Sequence, residues 1–164
     1  MTPLKYFFWL VDFGFIAYWL ITALHLIPAE YLFNDYTNPI LVHWNWSFFP
    51  LDICVSATGI YSLILYKKGN TKWKISALVS LILTSVSGLQ AISYWIFAQE
   101  FDLTWWIPNL FLLLYPMFFI LKLIKQLSWN NGIIESESHS KFYTPNYPSQ
   151  GFWTLGRGVC DIIT

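Results

Sequence analysis

Charge is what this chain has least of. Asp, Glu, Lys and Arg make up 11% of its 164 residues, where a soluble domain carries roughly 25%. Nine basic and nine acidic residues cancel to zero net charge. A neutral, charge-poor chain of this kind associates or precipitates as a water-exposed monomer, and it lacks the basic face that nucleic-acid binding needs. Cysteine is scarcer still. Cys54 and Cys160 are the only two, and no Cys-x-x-Cys occurs, so disulfide exchange has no motif here. The histidines are His25, His43 and His139. None is placed to face another across a helical bundle, which leaves a bis-His haem without ligands. The Walker loop, His-Glu-x-x-His and Gly-x-Ser-x-Gly are absent. His25 and His43 with Glu30 and Asp35 form a conceivable metal set. Scattered histidines at helix ends are the simpler account, so neither metal nor cofactor is expected.

What the chain has is apolar and aromatic: 56% hydrophobic residues and 21% Phe, Trp and Tyr. About 20 mostly apolar residues cross a bilayer as a helix, and four stretches meet that length. They run over about 6–27, 46–66, 75–98 and 103–121, the first two holding one acid each, Asp12 and Asp52. The first stretch is too long for a signal-peptide core and no small-x-small cleavage site follows it, so it reads as a retained helix. The expectation is an all-α, polytopic four-helix membrane bundle over 1–125, with the lipid bilayer as its surroundings. Residues 126–164, rich in Ser, Asn, Gly and Pro, read as a disordered tail. Aromatic residues in that tail, such as Trp129 and Trp153, would touch the membrane surface or be foreign to the original reading frame.

The connectors give orientation. Lys5, Lys67, Lys68, Lys72, Lys74, Lys122, Lys125, Lys141 and Arg157 all fall on one side, while the connectors Pro28–Asn45 and Gln99–Asp102 hold no Lys or Arg. The positive-inside rule then puts both termini in the cytoplasm of a multi-pass cell-membrane protein. This asymmetry also argues against a dual-topology exporter.

Ionisable residues inside a membrane usually face the bundle interior. A helical rise of about 1.5 Å per residue puts Asp12 roughly 10 Å inside the cytoplasmic edge and Asp52 roughly 10 Å inside the outer one, so the two should not pair. Gln90 and Asn109 fall near the level of Asp52. The resulting expectation is an outer-leaflet pocket with Asp52, Gln90 and Asn109 as its polar centre and Trp19, Tyr94, Trp95 and Trp106 as walls. A competing reading makes Asp52 a helix-start acid beside Pro50, facing the positive end of the helix dipole. Asp12 reads as structural, pairing with Lys5 or a lysine ending the fourth helix, or bonding Ser80 or Tyr115. The Ser80/Thr84/Gly88 side of the third helix is a small-residue stripe suited to close packing or to a partner helix.

The runs His43–Asp52, Ser87–Ser93 and Asp102–Leu110 resemble those of the YvaD-like family, small four-helix membrane proteins of Gram-positive bacteria. The resemblance covers about Leu4–Lys125, implies the same topology and implies no activity. A weaker likeness joins Asp52, the Lys68–Lys74 segment and Tyr115-Pro116 to the emopamil-binding fold, which implies a membrane-accessible cavity lined by acids. The functional expectation is non-enzymatic binding of a lipophilic small molecule or membrane partner. The alternatives are a lipid or isoprenoid enzyme with Asp52 as acid/base, and an accessory membrane subunit.

Overall fold

The computed structural model describes residues 2–28, 31 and 37–142, with side chains between 3 and 129. The described residues form five helices and no strand: α1 (Thr2–Ala23), α2 (Pro39–Ser47), α3 (Phe49–Lys67), α4 (Trp73–Ala98) and α5 (Leu103–Phe142). Four segments are long and apolar enough to cross a membrane: Pro3–Ala23, Pro39–Lys67, Trp73–Ala98 and Leu103–Trp129.

Local chemistry sets the helix ends. At the C-terminus of α1, His25 takes the left-handed conformation (φ 51°), and Leu26 N–H reaches back to Ile21 C=O. That six-to-one closure satisfies carbonyls the helix would leave open, and it stops α1 at Ala23, short of the expected 27. The same device ends α3 at Gly69 (φ 69°) and α4 at Gln99 (φ 56°), closed by Asn70 N–H to Leu65 C=O and Glu100 N–H to Trp95 C=O. The start of α5 is fixed by Asp102 Oδ1, which accepts from Thr104 N–H at 2.9 Å.

Two elements differ from the sequence expectation. Residues 39–45, expected to be connector, are helical and join 46–47 in α2. Asn38 caps them by accepting from Ile40 N–H at 3.1 Å, and Pro39 stands at the first helical position, where its missing N–H costs nothing. The hydrogen-bond ladder is interrupted between α2 and α3, because Pro50 has no N–H with which to continue it, while Phe48 itself keeps right-handed helical geometry (φ −76°, ψ −23°). The second span therefore runs as one helical path, Pro39–Lys67, that begins earlier than 46. The fourth helix runs on to Phe142, where a tail was expected from 126: no proline follows Pro116 until Pro145. The rest of the expected tail, 143–164, lies outside the described residues.

α3 is central, packing against α1 and α4. Serine hydroxyls join these helices by donating to main-chain carbonyls across the gap: Ser56 to Asp12, Ser76 to Thr58 and Ser80 to Val55. Ser85 donates to Leu113 C=O and so ties α4 to α5. At Gly88 the backbones of α4 and α5 come so close that a Cβ would lie 2.6 Å from Leu113 N. The lysine-bearing end of the bundle is filled by Leu4, Phe8, Ala77, Leu81, Phe119 and Leu123. Phe7 stacks there on Tyr115 at 5.0 Å. Among the described residues the opposite end holds a smaller buried cluster, Trp19, Phe48 and Ala91, with Tyr18 and Trp44 packed against it.

Candidate functional site

At that opposite end lies a cavity of about 440 Å³, inside the 300–1,000 Å³ range of small-molecule sites. α1 contributes Phe15, Tyr18 and Trp19; α2 contributes Trp44 and Asn45, with Phe48 at the junction and Asp52 on the first turn of α3. Ser87 and Ala91 of α4 close one side, and Thr104, Trp105, Pro108, Asn109 and Leu112 of α5 close another. α2 completes this site: Asn45 bonds Tyr18 of α1, Trp44 packs on Tyr94 and Trp95 of α4, and Asp52 follows on the first turn of α3.

Asp52 is 4% exposed. Its Oδ2 accepts from Trp19 Nε1 at 3.0 Å, and its Oδ1 accepts from Ser87 Oγ at 3.0 Å. Both side-chain bonds come from other helices, so the carboxylate faces the cavity floor between α1 and α4. A carboxylate has about four lone-pair positions, and two protein donors leave acceptor capacity for a ligand. Asn45 Oδ1 accepts from Tyr18 Oη at 2.9 Å, while Asn45 Nδ2 is buried with no hydrogen-bond partner. Asn109 Nδ2 donates to Trp105 C=O at 2.7 Å.

Of the residues expected at the site, the structure brings Asp52, Asn109 and Trp19 together on the cavity. Gln90 is exposed and does not line it. Steps of about 100° per residue put Ser87 and Ala91 on the cavity side and carry Gln90 past its edge. Tyr94 and Trp95 stand behind the wall, where Trp44 stacks on Tyr94 at 4.1 Å and meets Trp95 edge-on at 5.7 Å. Trp105, one residue before the expected Trp106, is the α5 tryptophan that lines the cavity. Trp106 instead donates to Glu100 C=O. Sequence reading missed Tyr18, Trp44, Asn45 and Ser87. The Asn38-Pro39 helix-start signal was available and would have found α2 with its Trp44 and Asn45.

Asp12 is fully buried against Gly59, whose missing Cβ leaves room for the carboxyl group. Neither carboxyl oxygen has a hydrogen-bond partner, so the expected bonds to Lys5, a fourth-helix lysine, Ser80 or Tyr115 do not form; Ser80 is spent on Val55 C=O. Gly59 lies seven residues beyond Asp52, about 10 Å along α3. The two acids accordingly do not pair. The Ser80/Thr84/Gly88 side of α4 is buried within this chain, covered by α3 and α5. A partner helix would need another face. Among the described residues no three of His, Cys, Asp and Glu come together; Glu30 and Asp35 lie outside them. Cys54 is free and exposed.

The likeness to the emopamil-binding fold finds no support. Lys68–Lys72 is an exposed turn at the end of the bundle away from Asp52, and Tyr115-Pro116 lies well inside α5. No solved structure matches the chain. The chain is 51% identical to the uncharacterized protein YvaD of Bacillus subtilis (strain 168) over 126 residues, covering 77% of this chain and 95% of that protein. A family of unknown function, DUF5360, matches residues 4–130, which is the part that forms the four long helices, and the chain belongs to that family.

Proposed function

We propose that this is a multi-pass membrane protein with both termini cytoplasmic, which binds a lipophilic small molecule in the cavity around Asp52. The observation that carries the reading is an aromatic-walled cavity of about 440 Å³ with one buried carboxylate on its surface. The orientation is supported by Lys5, Lys67, Lys68, Lys72, Lys74 and Lys122 at one end of the bundle and Glu100 and Asp102 at the other. On that reading α3, 19 residues long, covers about 28 Å. It alone matches a hydrocarbon core about 30 Å thick, so α2 and the cavity lie at the outer boundary, where an amphiphile partitions.

Binding is favoured over acid/base catalysis because the described residues lining the cavity include no His, Lys, Cys or second carboxylate to work with Asp52. Native mass spectrometry of protein purified in a mild neutral detergent tests the reading. Wild type should carry an added mass, and Ala91→Phe, which places a ring in the cavity, should not. Wild type that carries no added mass and takes up no naphthyl probe would end the proposal.

A further inference from the structure

We infer that the molecule this cavity takes is a lipophilic ammonium compound that also carries a hydrogen-bond acceptor. The inference rests on the binding reading above and adds the ligand's class. Three features of the site define that class.

The first is charge. Asp52 is held by two neutral donors, Trp19 Nε1 and Ser87 Oγ, each at 3.0 Å, and the described cavity-lining residues include no Lys, Arg or His. A buried carboxylate without a cation is costly to keep ionised, and each of its oxygens still has a lone-pair direction to offer. A ligand cation supplies what the protein leaves out.

The second is the wall. Tyr18, Trp19, Trp44, Phe48 and Trp105 line the cavity, and their rings brace one another: Tyr18 on Trp19 at 5.1 Å, Trp44 on Phe48 at 5.0 Å. Aromatic faces attract ammonium groups, most strongly where water is excluded. They also accept an apolar body, so one wall serves both halves of such a ligand.

The third is an unused donor. Asn45 is 7% exposed and lines the cavity. Its Oδ1 is engaged by Tyr18 while its Nδ2 has no partner. Buried donors left unpaired are rare. Asn45 lines the same cavity as Asp52, with Nδ2 itself sealed from it, so a ligand that presents a cation to Asp52 and draws the Asn45 amide onto an oxygen satisfies both.

Three probes separate these features by calorimetry in a neutral detergent: 2-(2-naphthyl)ethylamine, 2-(2-naphthyl)ethanol and 2-amino-1-(2-naphthyl)ethanol. Wild type should bind the amine at least tenfold more tightly than the alcohol, and the amino alcohol more tightly again. Asp52→Asn should erase the preference for amine over alcohol, and Asn45→Ala should erase only the gain from the hydroxyl. Amine and alcohol binding wild type equally would overturn the ammonium assignment while leaving a lipophilic site in place. An amino alcohol no tighter than the amine would overturn the acceptor. Absence of binding by all three would count against the cavity reading itself. The wild-type comparison needs no variant and decides the ammonium assignment even where Asp52→Asn fails to fold.

Discussion

Gly88 tests whether α4 and α5 are held backbone to backbone. A Cβ at this position would lie 2.6 Å from Leu113 N, 2.7 Å from Asn109 O and 3.0 Å from Leu112 C. All three are main-chain atoms, so no side chain can swing aside. Ordinary contact begins at 3.4 Å, so α5 must retreat by 3.4 − 2.6 = 0.8 Å for Gly88→Ala to fit. Over-packing of this kind costs about 1–3 kcal/mol, whereas exchanging Gly for Ala in a helix returns about 1 kcal/mol. The net expectation is a loss of about 0–2 kcal/mol. Gly14 is the internal control: a Cβ there meets nothing within 4 Å, so Gly14→Ala should gain about 0.5–1 kcal/mol from the same helix preference. The two variants carry the same chemical change with opposite signs. Reversible unfolding in mixed micelles, followed by far-ultraviolet circular dichroism, reads both. Gly88→Ala as stable as Gly14→Ala would refute the close approach of the two helices. Because Asn109 and Leu112 also line the cavity, Gly88→Ala should weaken naphthyl-probe binding as well.

Three more expectations rest on other contacts. Ser87→Ala removes one of the two donors to Asp52 and should lower stability by about 1–3 kcal/mol; unfolding at an unchanged denaturant midpoint would mean the bond contributes nothing. Asp12→Asn replaces a carboxyl group that has no partner to lose, so the same assay should find it within about 1 kcal/mol of wild type or above it, and a larger loss would reveal a partner. A phosphatase reporter that matures only outside the cytoplasm should stay inactive when fused after Lys68 and become active when fused after Gln99; the reverse pattern would invert the orientation.

The spans were legible because hydropathy over a helix length is a one-dimensional property, and long runs without charge over 75–98 and 103–121 left little else to conclude. The boundaries were less so. α2 was hidden because His43 and Asn45 made its run look polar, although Asn38 and Pro39 carried a start signal. The site was legible in depth and not in rotation. Rise per residue placed Gln90 and Asn109 near the level of Asp52, and of these Asn109 shares the cavity with it. Choosing Trp105 over Trp106, or Ser87 over Gln90, requires knowing which way a helix is turned. A helix apolar on all sides gives no such phase, and the polar stripe on α4 was broad enough to admit Gln90 at its margin. Tyr18, Trp44 and Asn45 join the site through the packing of α2 against α1 and α4, which no pattern within one segment encodes.

Asp12 and Asp52 illustrate the same limit in chemical terms. In sequence they are equivalent: one carboxylic acid in each of two apolar spans. In the fold their surroundings separate them. Asp52 receives two hydrogen bonds from other helices and stands on a cavity that a molecule can occupy. Asp12 receives none, and the space beside it is the absent side chain of Gly59. The difference originates in α3. On its first turn Asp52 adjoins open volume, whereas Gly59, seven residues beyond Asp52, lets α1 pack close enough to seal Asp12 in. A buried acid can hold a ligand only where donors orient it and space adjoins it, and α3 supplies both conditions at one acid and neither at the other. The proposed ligand role therefore falls to Asp52 because of the geometry of the helix that carries it, and not because acids are rare in apolar spans.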